Sequence, residues 1–480
     1  MVNRPLVVDL DGTLIHTDML HESVLELIKQ NLFYLFILPY WLFKGKAALK
    51  RWLASKTKID VTLLPYNQSF LDWLMEEKER GRSLVLCTAS DSLIANSIAV
   101  HLNIFDEVIA SNGINNLAGH GKSEALERRF GGGNFDYAGN SNADLAVWKS
   151  AHSSIIVNAS KSLENKAKSL FNVEKKFPQA RPSLSTIIRM LRVHQWMKNL
   201  LLFVPLITAH QVGHLDSWLV LLSAFVSFSL CASVVYIAND LLDLESDRLH
   251  PRKRKRPFAS GLIPIWLGVL LAPILLLISF IIGAFVGQAF LICLGIYFLL
   301  TCAYSSLLKR LVLVDCLTLA MLYTIRVIAG SLTLAQYQSF WLLAFSVFIF
   351  LSLAFVKRYA ELEIQQLSGY VKVHGRGYHT SDAPIIQSMG VVAGYTAALV
   401  LALYLNSDEV AMLYQLPQVI WAAIPVILFW ISWMWMQAHR GKMHDDPLVY
   451  AAKDPVSLIS GVLLALIMLL GAKGLPVWIT

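Results

Sequence analysis

Asn239-Asp240-Leu241-Leu242-Asp243-Leu244-Glu245-Ser246-Asp247 directly follows an apolar run over residues 217–238 that is long enough to cross a membrane. At about 100° per residue, Asp240, Asp243 and Asp247 are predicted to share one helical face, with Asn239 beside them. Three neighbouring carboxylates repel one another and also oppose the dipole at a helix C-terminus, which disfavours a merely solvated helix end. Hard cations take oxygen ligands, so the pattern predicts a Mg²⁺ site for a diphosphate at the membrane surface.

Apolar residues dominate the composition of the chain. Of its 480 residues 56% are hydrophobic and 15% charged, whereas a soluble domain has roughly 25% charged residues. Nine apolar stretches approach the length of about 20 residues that a membrane span needs, and they lie near 197–212, 217–238, 264–284, 287–303, 312–334, 339–356, 384–405, 417–438 and 456–476. The formal net charge of +8 is typical of basic loops at lipid headgroups, so we exclude nucleic-acid binding.

Basic residues in the short loops predict the orientation of these spans. Lys and Arg follow every second span, at 248–256, 309–310, 357–358 and 440–442, and are missing near 210–216, 284–287, 332–339 and 406–416. Because basic loops stay in the cytoplasm, we expect an integral membrane protein with a cytoplasmic N-terminal domain and its C-terminus outside.

The first 160 residues alternate short β-branched strands, such as 6–8 and 84–86, with helical stretches, which indicates an α/β domain. Polar residues follow the apolar stretches in a fixed order: Asp9, Asp11, Thr88, Lys122, Asn140 and Asp144. Two carboxylates on a loop after a strand suit a nucleophilic Asp and an acid/base Asp beside a metal-bound phosphate.

These elements resemble the haloacid dehalogenase superfamily of aspartate-dependent phosphatases over about residues 1–160. The resemblance implies a Rossmann-like α/β fold with a helical cap near 15–82. It also implies a catalytic Asp9 (nucleophile) and Asp11 (acid/base), phosphate-binding Thr88 and Lys122, and a Mg²⁺ site of Asp9, Asp11, Asn140 and Asp144. The family usually has an acidic residue where Asn140 stands, and a neutral amide offers less charge to Mg²⁺. An active phosphatase and a structural or regulatory relic both stay open.

A polar, Lys-rich stretch over residues 161–183 is predicted to link this domain to a transmembrane domain over 184–480. Inside the first domain, an aromatic segment over 32–43 interrupts the soluble pattern, and basic residues follow it from Lys44 onward. The segment is too short to span a membrane. It is either a buried cap helix or a patch that dips into the lipid interface.

The spacing Asn239-Asp240-x-x-Asp243-x-x-x-Asp247 resembles the first aspartate-rich motif of the UbiA-type membrane prenyltransferase superfamily, over about residues 185–480. That resemblance implies an all-α polytopic domain of about nine transmembrane helices around a polar cavity. Aromatic prenyltransferases of the superfamily have a second aspartate-rich motif after the sixth span. In its place this chain has Lys357-Arg358-Tyr359-Ala360-Glu361.

With these cations, the chain looks like the polyprenyl-phosphate (decaprenyl-phosphate) phosphoribosyltransferase branch, in a bacterial inner membrane. The resemblance implies transfer of phosphoribose from phosphoribosyl pyrophosphate to a polyprenyl phosphate, with a fused phosphatase that removes the 5-phosphate. It implies that Asp240, Asp243 and Asp247 are catalytic and bind Mg²⁺ together with Asn239. The candidate phosphate or substrate contacts are Lys198, Arg254, Arg256, Tyr304, Lys309, Arg326, Lys357, Arg358, Glu361 and Arg376.

Asp315 and Arg326 are predicted to share a face inside the fifth span, where ionisable residues default to function and a structural ion pair between helices is the alternative. Two other functions stay open for the whole chain. One is a prenyltransferase that uses a prenyl diphosphate and an aromatic or quinone precursor. The other is a transporter or scaffold with a regulatory N-terminal domain.

Overall fold

The computed structural model describes residues 4–31, 33–179, 182–209, 211–336, 339–367, 369, 371, 375–407, 410, 414–443 and 446–473. The chain forms two compact units. The first comprises Met1–Leu191 and Ile237–Leu271, and the second comprises Arg192–Tyr236 and Ala272–Thr480. The sequence prediction assigns residues 237–271 to the transmembrane domain 184–480, but in the structure this stretch packs with the first unit.

Six parallel strands form the sheet of the first unit: β1 (Leu6–Val8), β2 (Leu84–Asp91), β3 (Glu107–Ser111), β4 (Asp136–Gly139), β5 (Ser154–Val157) and β6 (Val173–Phe177). Their order across the sheet is β3-β2-β1-β4-β5-β6. The central strand β1 pairs through Leu6 with Leu84 on one side and with Asp136 on the other. All its residues are buried, as expected for a parallel strand covered on both faces.

Helices connect these strands. Four of them lie between β1 and β2, where the sequence predicts a helical cap: α1 (Met19–Gln30), α2 (Tyr34–Phe43), α3 (Lys46–Lys56) and α4 (Gln68–Glu79). The others are α5 (Ser92–Leu102), α6 (His120–Phe130), α7 (Leu145–Ser150) and α8 (Lys161–Leu170). The predicted α/β fold with an inserted helical cap is therefore confirmed.

The stretch 161–183, predicted as a linker, is largely folded. It contains α8 and the edge strand β6, which pairs in parallel with β5. Leu163 and Ala167 of α8 are buried, and the Phe177 ring packs 5.1 Å from Phe70 and 5.4 Å from Trp73. The many lysines of this stretch lie on its exposed side, which is why its composition resembles that of a linker.

The remaining helices are α9 (Leu184–Met190), α10 (Val204–Thr208), α11 (Leu215–Leu242), α12 (Leu244–Leu249), α13 (Ile265–Val286), α14 (Gln288–Ser306), α15 (Val314–Thr333), α16 (Phe340–Leu367), α17 (Ala383–Leu405), α18 (Pro417–Ile420), α19 (Ala423–His439), α20 (Pro447–Ala451) and α21 (Pro455–Lys473). Among the described residues, eight helical segments are long and apolar enough to cross a membrane, in rough agreement with the nine predicted spans. The protein is therefore an integral membrane protein.

The apolar stretch 197–212 differs from a regular span. It begins inside a 3₁₀ helix, Val193–Phe203, and continues into the short α10. Lys198 and Asn199 are both buried in this 3₁₀ helix, where each has a polar partner inside the second unit. A segment that buries polar groups in this way lies inside the protein rather than in lipid.

Close helix packing in the second unit depends on glycine. At Gly330 of α15, an added Cβ would lie 2.1 Å from the carbonyl oxygen of Leu202 in the 3₁₀ helix. Backbone cannot yield as a flexible side chain can, so any larger residue at this position would separate the two elements.

We expect Gly330→Ala to lower the free energy of unfolding by about 1–3 kcal/mol through overpacking, measured as a lower melting temperature in detergent. Gly295→Ala on α14 is the matched control, because its added Cβ meets no atom within 4 Å and Ala favours a helix over Gly. Equal melting temperatures of the two variants would contradict this packing.

Candidate functional site

Three charged side chains meet at the carboxyl edge of the sheet in the first unit. Asp9 directly follows β1, Asp144 lies beyond β4, and Lys122 is in the first turn of α6. Lys122 Nζ donates to Asp9 Oδ1 at 2.7 Å and lies 3.9 Å from Asp144 Oδ1. All three residues are buried. The structure therefore brings together three of the residues that the sequence predicts for a phosphatase site.

The Asp144 carboxylate is held by hydrogen bonds from its own loop. Its Oδ2 accepts from the backbone N–H groups of Asn140 at 3.0 Å and Ser141 at 2.8 Å, and from Ser141 Oγ at 2.9 Å. Its Oδ1 accepts from Tyr137 Oη at 2.9 Å, and Tyr137 Oη accepts from Lys122 Nζ at 2.8 Å. Tyr137 was not predicted from the sequence, because a tyrosine in an apolar strand resembles an ordinary core residue.

Asp11 is fixed between α1 and β2. Its Oδ1 accepts from the Met19 backbone N–H at 2.8 Å, and its Oδ2 accepts from Ser90 Oγ at 2.7 Å. The Ser90 backbone N–H donates to Thr88 Oγ1 at 3.0 Å. The sequence predicts that β2 ends at Thr88, but the strand continues to Asp91 through an irregularity in its pairing with β3. This irregularity places Ser90 beside Asp11.

Burial opposes ionisation of both predicted catalytic carboxyls. Desolvation raises the pKa of Asp9 to about 7 although Lys122 lowers it. Desolvation, followed by the charge of Asp18, raises the pKa of Asp11 to about 6. An additional cation beside these carboxyls would offset that penalty.

The carboxylate and amide oxygens at this edge of the sheet are the type of ligand that Mg²⁺ prefers. The Asn140 amide packs against Gly12, where a Cβ would lie 2.0 Å from Asn140 Nδ2, so its side chain lies against the Asp9–Asp11 loop. Within the described ranges, no three His, Cys, Asp or Glu side chains are gathered as a ready metal site. The donors that fit Mg²⁺ are the carboxylates of Asp9, Asp11 and Asp144 and the amide oxygen of Asn140.

The aspartate-rich stretch also belongs to the first unit, and its geometry corrects the predicted single face. Helix α11 ends at Leu242, and Asp243 lies between α11 and α12 with an exposed side chain. Asp240 and Asp247 are buried. Arg256 Nη1 donates to both of them, at 3.1 Å to Asp240 and 2.6 Å to Asp247. Because the chain breaks its helix at Asp243, two carboxylates converge on one arginine rather than three on one helical face.

Burial also raises the pKa of Asp247, although the charge of Arg256 acts in the opposite direction. Asn239 is half-buried next to Asp240, whereas Arg254 is exposed. The geometry thus joins Asp240, Asp247 and Arg256, and leaves Asp243 and Arg254 on the surface.

A second polar cluster lies inside the second unit around Asp446, just before α20. Asp446 Oδ2 lies 2.8 Å from Lys198 Nζ and 3.3 Å from Lys357 Nζ. Tyr323 Oη of α15 donates to the same carboxylate at 2.7 Å. Burial alone would raise the pKa of Asp446, but the two lysines hold it below the ordinary range. Asp446 and Tyr323 were not predicted from the sequence, because each is a single polar residue without a motif.

A third cluster surrounds Asp315. Its Oδ2 lies 2.5 Å from Arg358 Nη2 and 3.5 Å from Arg376 Nη1, and its Oδ1 accepts from Tyr378 Oη at 2.6 Å. Glu361 pairs with Arg358 and lies 3.1 Å from Arg376 Nε. The predicted cations Arg358 and Arg376 thus lie together, with two carboxylates between them.

Asp315 and Arg326 do not pair with each other. Arg326 Nε donates to Asn199 Oδ1 at 2.8 Å, and its Nη2 donates to Tyr297 Oη at 3.1 Å. Asn199 Nδ2 donates to Ser229 Oγ at 2.9 Å. Arg326 therefore binds the 3₁₀ helix and α14, whereas Asp315 binds α16.

Of the other candidates, Tyr304 accepts from Arg376 Nη1 at 3.4 Å, and Lys309 is half-buried in a turn after α14.

The Asp315–Arg358 pair has no exposed side-chain surface. Removing one partner of a buried pair is strongly destabilising, because a charge is left uncompensated. We expect Arg358→Met to lower the free energy of unfolding by about 3–5 kcal/mol, and Asp315→Leu in the same chain to restore part of this loss. Melting temperatures of the single and double variants in detergent measure this coupling. Purely additive losses would show that the pair does not join α15 to α16.

Known proteins were compared with the chain. The family model described as UbiA prenyltransferase family matches residues 200–473. An uncharacterized protein of Sinorhizobium fredii, y4nM, is 35% identical over 96% of this chain and 90% of its own length. The nodulation protein NoeC of Azorhizobium caulinodans is 36% identical over 58% of this chain and 91% of its own length.

A protein of Mycolicibacterium smegmatis named decaprenyl-phosphate phosphoribosyltransferase is 30% identical over 57% of this chain and 88% of its own length. The family match covers more than half of the chain, and the y4nM match extends through the N-terminal unit as well. The chain belongs to the UbiA prenyltransferase family of membrane transferases, and its N-terminal unit is an α/β domain with a parallel sheet.

Proposed function

We propose that this chain moves phosphoribose from phosphoribosyl pyrophosphate to a polyprenyl phosphate in a Mg²⁺-dependent reaction. The observation that carries the proposal is the set of cations in the second unit: Lys198 and Lys357 on Asp446, and Arg358 and Arg376 on Asp315. Lys198 and Arg358 are buried, and Lys357 and Arg376 are half-buried. Such a set suits substrates with several phosphates, whereas a second Mg²⁺ site would need free carboxylates. The similarity to the Mycolicibacterium smegmatis transferase supports the same substrates.

Asn239, Asp240 and Asp247 are the residues that would hold Mg²⁺, with Asp243 within reach on the exposed turn. Bound there, the ion would neutralise charge on the diphosphate of the donor. Arg256 lies against Asp240 and Asp247, so its guanidinium is placed to bind the same diphosphate. In the second unit, Lys198 and Lys357 are candidate ligands of a substrate phosphate.

The transfer itself needs positioning more than acid–base chemistry. An oxygen of the lipid phosphate forms a bond to the anomeric carbon, and the bond from that carbon to the pyrophosphate breaks, with its electron pair leaving on pyrophosphate. The attacking phosphate is already an anion, so no protein base takes a proton. The protein lowers the barrier by holding two anions in line and stabilising the charge on the leaving group.

The first unit is proposed to remove the 5-phosphate from the lipid product. Asp9 attacks phosphorus and forms an aspartyl phosphate, Asp11 gives its proton to the departing oxygen, and water then releases orthophosphate. Thr88 and Lys122 hold the phosphate oxygens. The basic loops support a bacterial inner membrane, with this unit cytoplasmic and the C-terminus outside.

The transfer is tested with purified protein in detergent, Mg²⁺, polyprenyl phosphate and radiolabelled phosphoribosyl pyrophosphate. We expect label in the lipid phase, at least 100-fold less with Asp240→Ala, and normal transfer with Asp216→Ala at the opposite end of α11. With Asp9→Asn the lipid product should retain its 5-phosphate. Transfer of a prenyl group to an aromatic acceptor, without labelled lipid, would instead support a prenyl diphosphate-dependent prenyltransferase.

Asn140 offers a separate test of the phosphatase site. We expect Asn140→Asp to lower the Mg²⁺ concentration for half-maximal hydrolysis of a soluble phosphate ester by about tenfold, because a carboxylate attracts the ion more strongly than an amide does. Asn165→Asp on the exposed side of α8 adds the same charge and serves as control. An unchanged Mg²⁺ requirement in Asn140→Asp would show that this side chain does not bind the ion.

A further inference from the structure

Helix α2 leaves its apolar surface uncovered. None of its residues is buried, and Phe33 directly before it is also exposed. Its exposed apolar side chains are Leu35, Phe36, Ile37, Tyr40, Leu42 and Phe43, with Phe36 exposed to 81% and Phe43 to 92%. The buried cap helix considered from the sequence is thereby excluded. Single exposed apolar residues are ordinary, but a contiguous patch of this kind marks an interaction surface.

The opposite side of α2 is anchored to the cap. The Trp41 ring stacks on Trp52 of α3 at 5.2 Å, and Tyr34 meets the same ring edge-on at 5.9 Å. Both rings pack against a small core of Leu27, Leu49 and Leu53. Helix α2 is therefore held in a fixed orientation that presents its phenylalanines outward.

Ion pairs inside the first unit connect α1, the helix before α2, to the segment that follows a membrane span. Lys29 Nζ, at the end of α1, lies 3.2 Å from Glu245 Oε2. Glu245 follows the spanning helix Leu215–Leu242 by three residues. Tyr34 is the fifth residue after Lys29, so their Cα atoms lie within about 17 Å of each other. Helix α2 therefore begins within reach of the segment that directly follows this span.

A second, more buried pair secures this placement. Arg248 donates to Glu22 through Nη1 at 3.2 Å and Nη2 at 2.6 Å, and the side chains are 6% and 7% exposed. Thr17 Oγ1 donates to the same Glu22 carboxylate at 2.7 Å. A two-point contact of this kind restricts rotation of α1 against the segment after the span.

The charge around α2 complements an anionic surface. Between Glu26 and Asp60 the chain contains seven Lys and Arg and no Asp or Glu. Lys44 and Lys46, directly after α2, are exposed, and Lys44 Nζ lies 4.7 Å from the centre of the Tyr40 ring. Each basic residue near an anionic membrane surface contributes about 1 kcal/mol to binding.

We propose that Phe33–Phe43 inserts its exposed side into the headgroup region of the bilayer, with Lys44 and Lys46 on anionic phospholipids. The Tyr40 ring suits this region because one end is apolar and the other polar, and the apolar Phe, Leu and Ile side chains reach the boundary with the acyl chains. The anchor extends to the candidate phosphatase site through α3, where Lys50 donates to the Ala89 carbonyl at 2.7 Å and Arg51 pairs with Asp91 at 3.1 Å. The carboxyl edge of the sheet would thus be held at the lipid surface. This inference does not depend on the transferred group.

The test uses spin labels on the full chain in vesicles of phosphatidylcholine and phosphatidylglycerol. Cys302 is exposed and the other four cysteines are buried, so Cys302→Ser gives a suitable background. One label is placed at Phe36→Cys on α2 and the matched control at Val100→Cys on α5, which is 79% exposed. Power saturation compares the accessibility of each label to oxygen, which concentrates in lipid, and to a water-soluble nickel chelate.

For each label we compare the ratio of its accessibility to oxygen to its accessibility to the nickel chelate. We expect this ratio to be at least threefold higher at position 36 than at position 100. Phe43→Cys repeats the measurement if the first variant does not fold, which size-exclusion profiles will show. Equal accessibilities at positions 36 and 100 would overturn the proposal. Protection of position 36 from both reagents would overturn it as well, since it would indicate a protein partner rather than lipid.

Discussion

The buried charges described above are each stabilised by an opposite charge or by hydrogen bonds, and this constraint shapes both units. Transfer of an isolated ion out of water is prohibitively costly, so buried charges occur in pairs and networks. Asp446 compensates Lys198 and Lys357, and Asp315 compensates Arg358 and Arg376. These contacts connect the 3₁₀ helix, α15, α16 and the loop before α20. The network that stabilises the helices therefore supplies the cations for the proposed phosphate site.

The first unit meets the same constraint with fewer cations. Lys122 serves both Asp9 and Asp144, and Asp11 has only neutral hydrogen-bond donors in direct contact among the interactions described above. The raised pKa values of Asp9 and Asp11 are the result. The site is thus short of positive charge, and the proposed Mg²⁺ would supply it. In the aspartate-rich stretch, Arg256 supplies the positive charge beside Asp240 and Asp247.

The sequence predicted those parts of the site that lie on continuous motifs. Asp9, Asp11 and the aspartate-rich stretch follow apolar segments directly, and local order was enough to find them. Asp446 and Tyr323 could not be found in this way, because their role depends on partners more than 100 residues away in the chain. The polar composition of 161–183 hid β6, and the apolar composition of 197–212 hid a 3₁₀ helix with two buried polar side chains. Composition reports average polarity, whereas these elements depend on which face each residue occupies.

The first unit is built from two separate stretches of the chain, and this has a consequence for biosynthesis. Residues 237–271 complete a unit whose sheet lies entirely within the first 191 residues. Glu22 cannot meet Arg248 until the ribosome has made Leu215–Leu242, the first long spanning helix. Until then, the nascent domain carries an acidic side chain whose arginine partner does not yet exist. The N-terminal domain therefore reaches its final packing only after the chain beyond Leu242 has been synthesised.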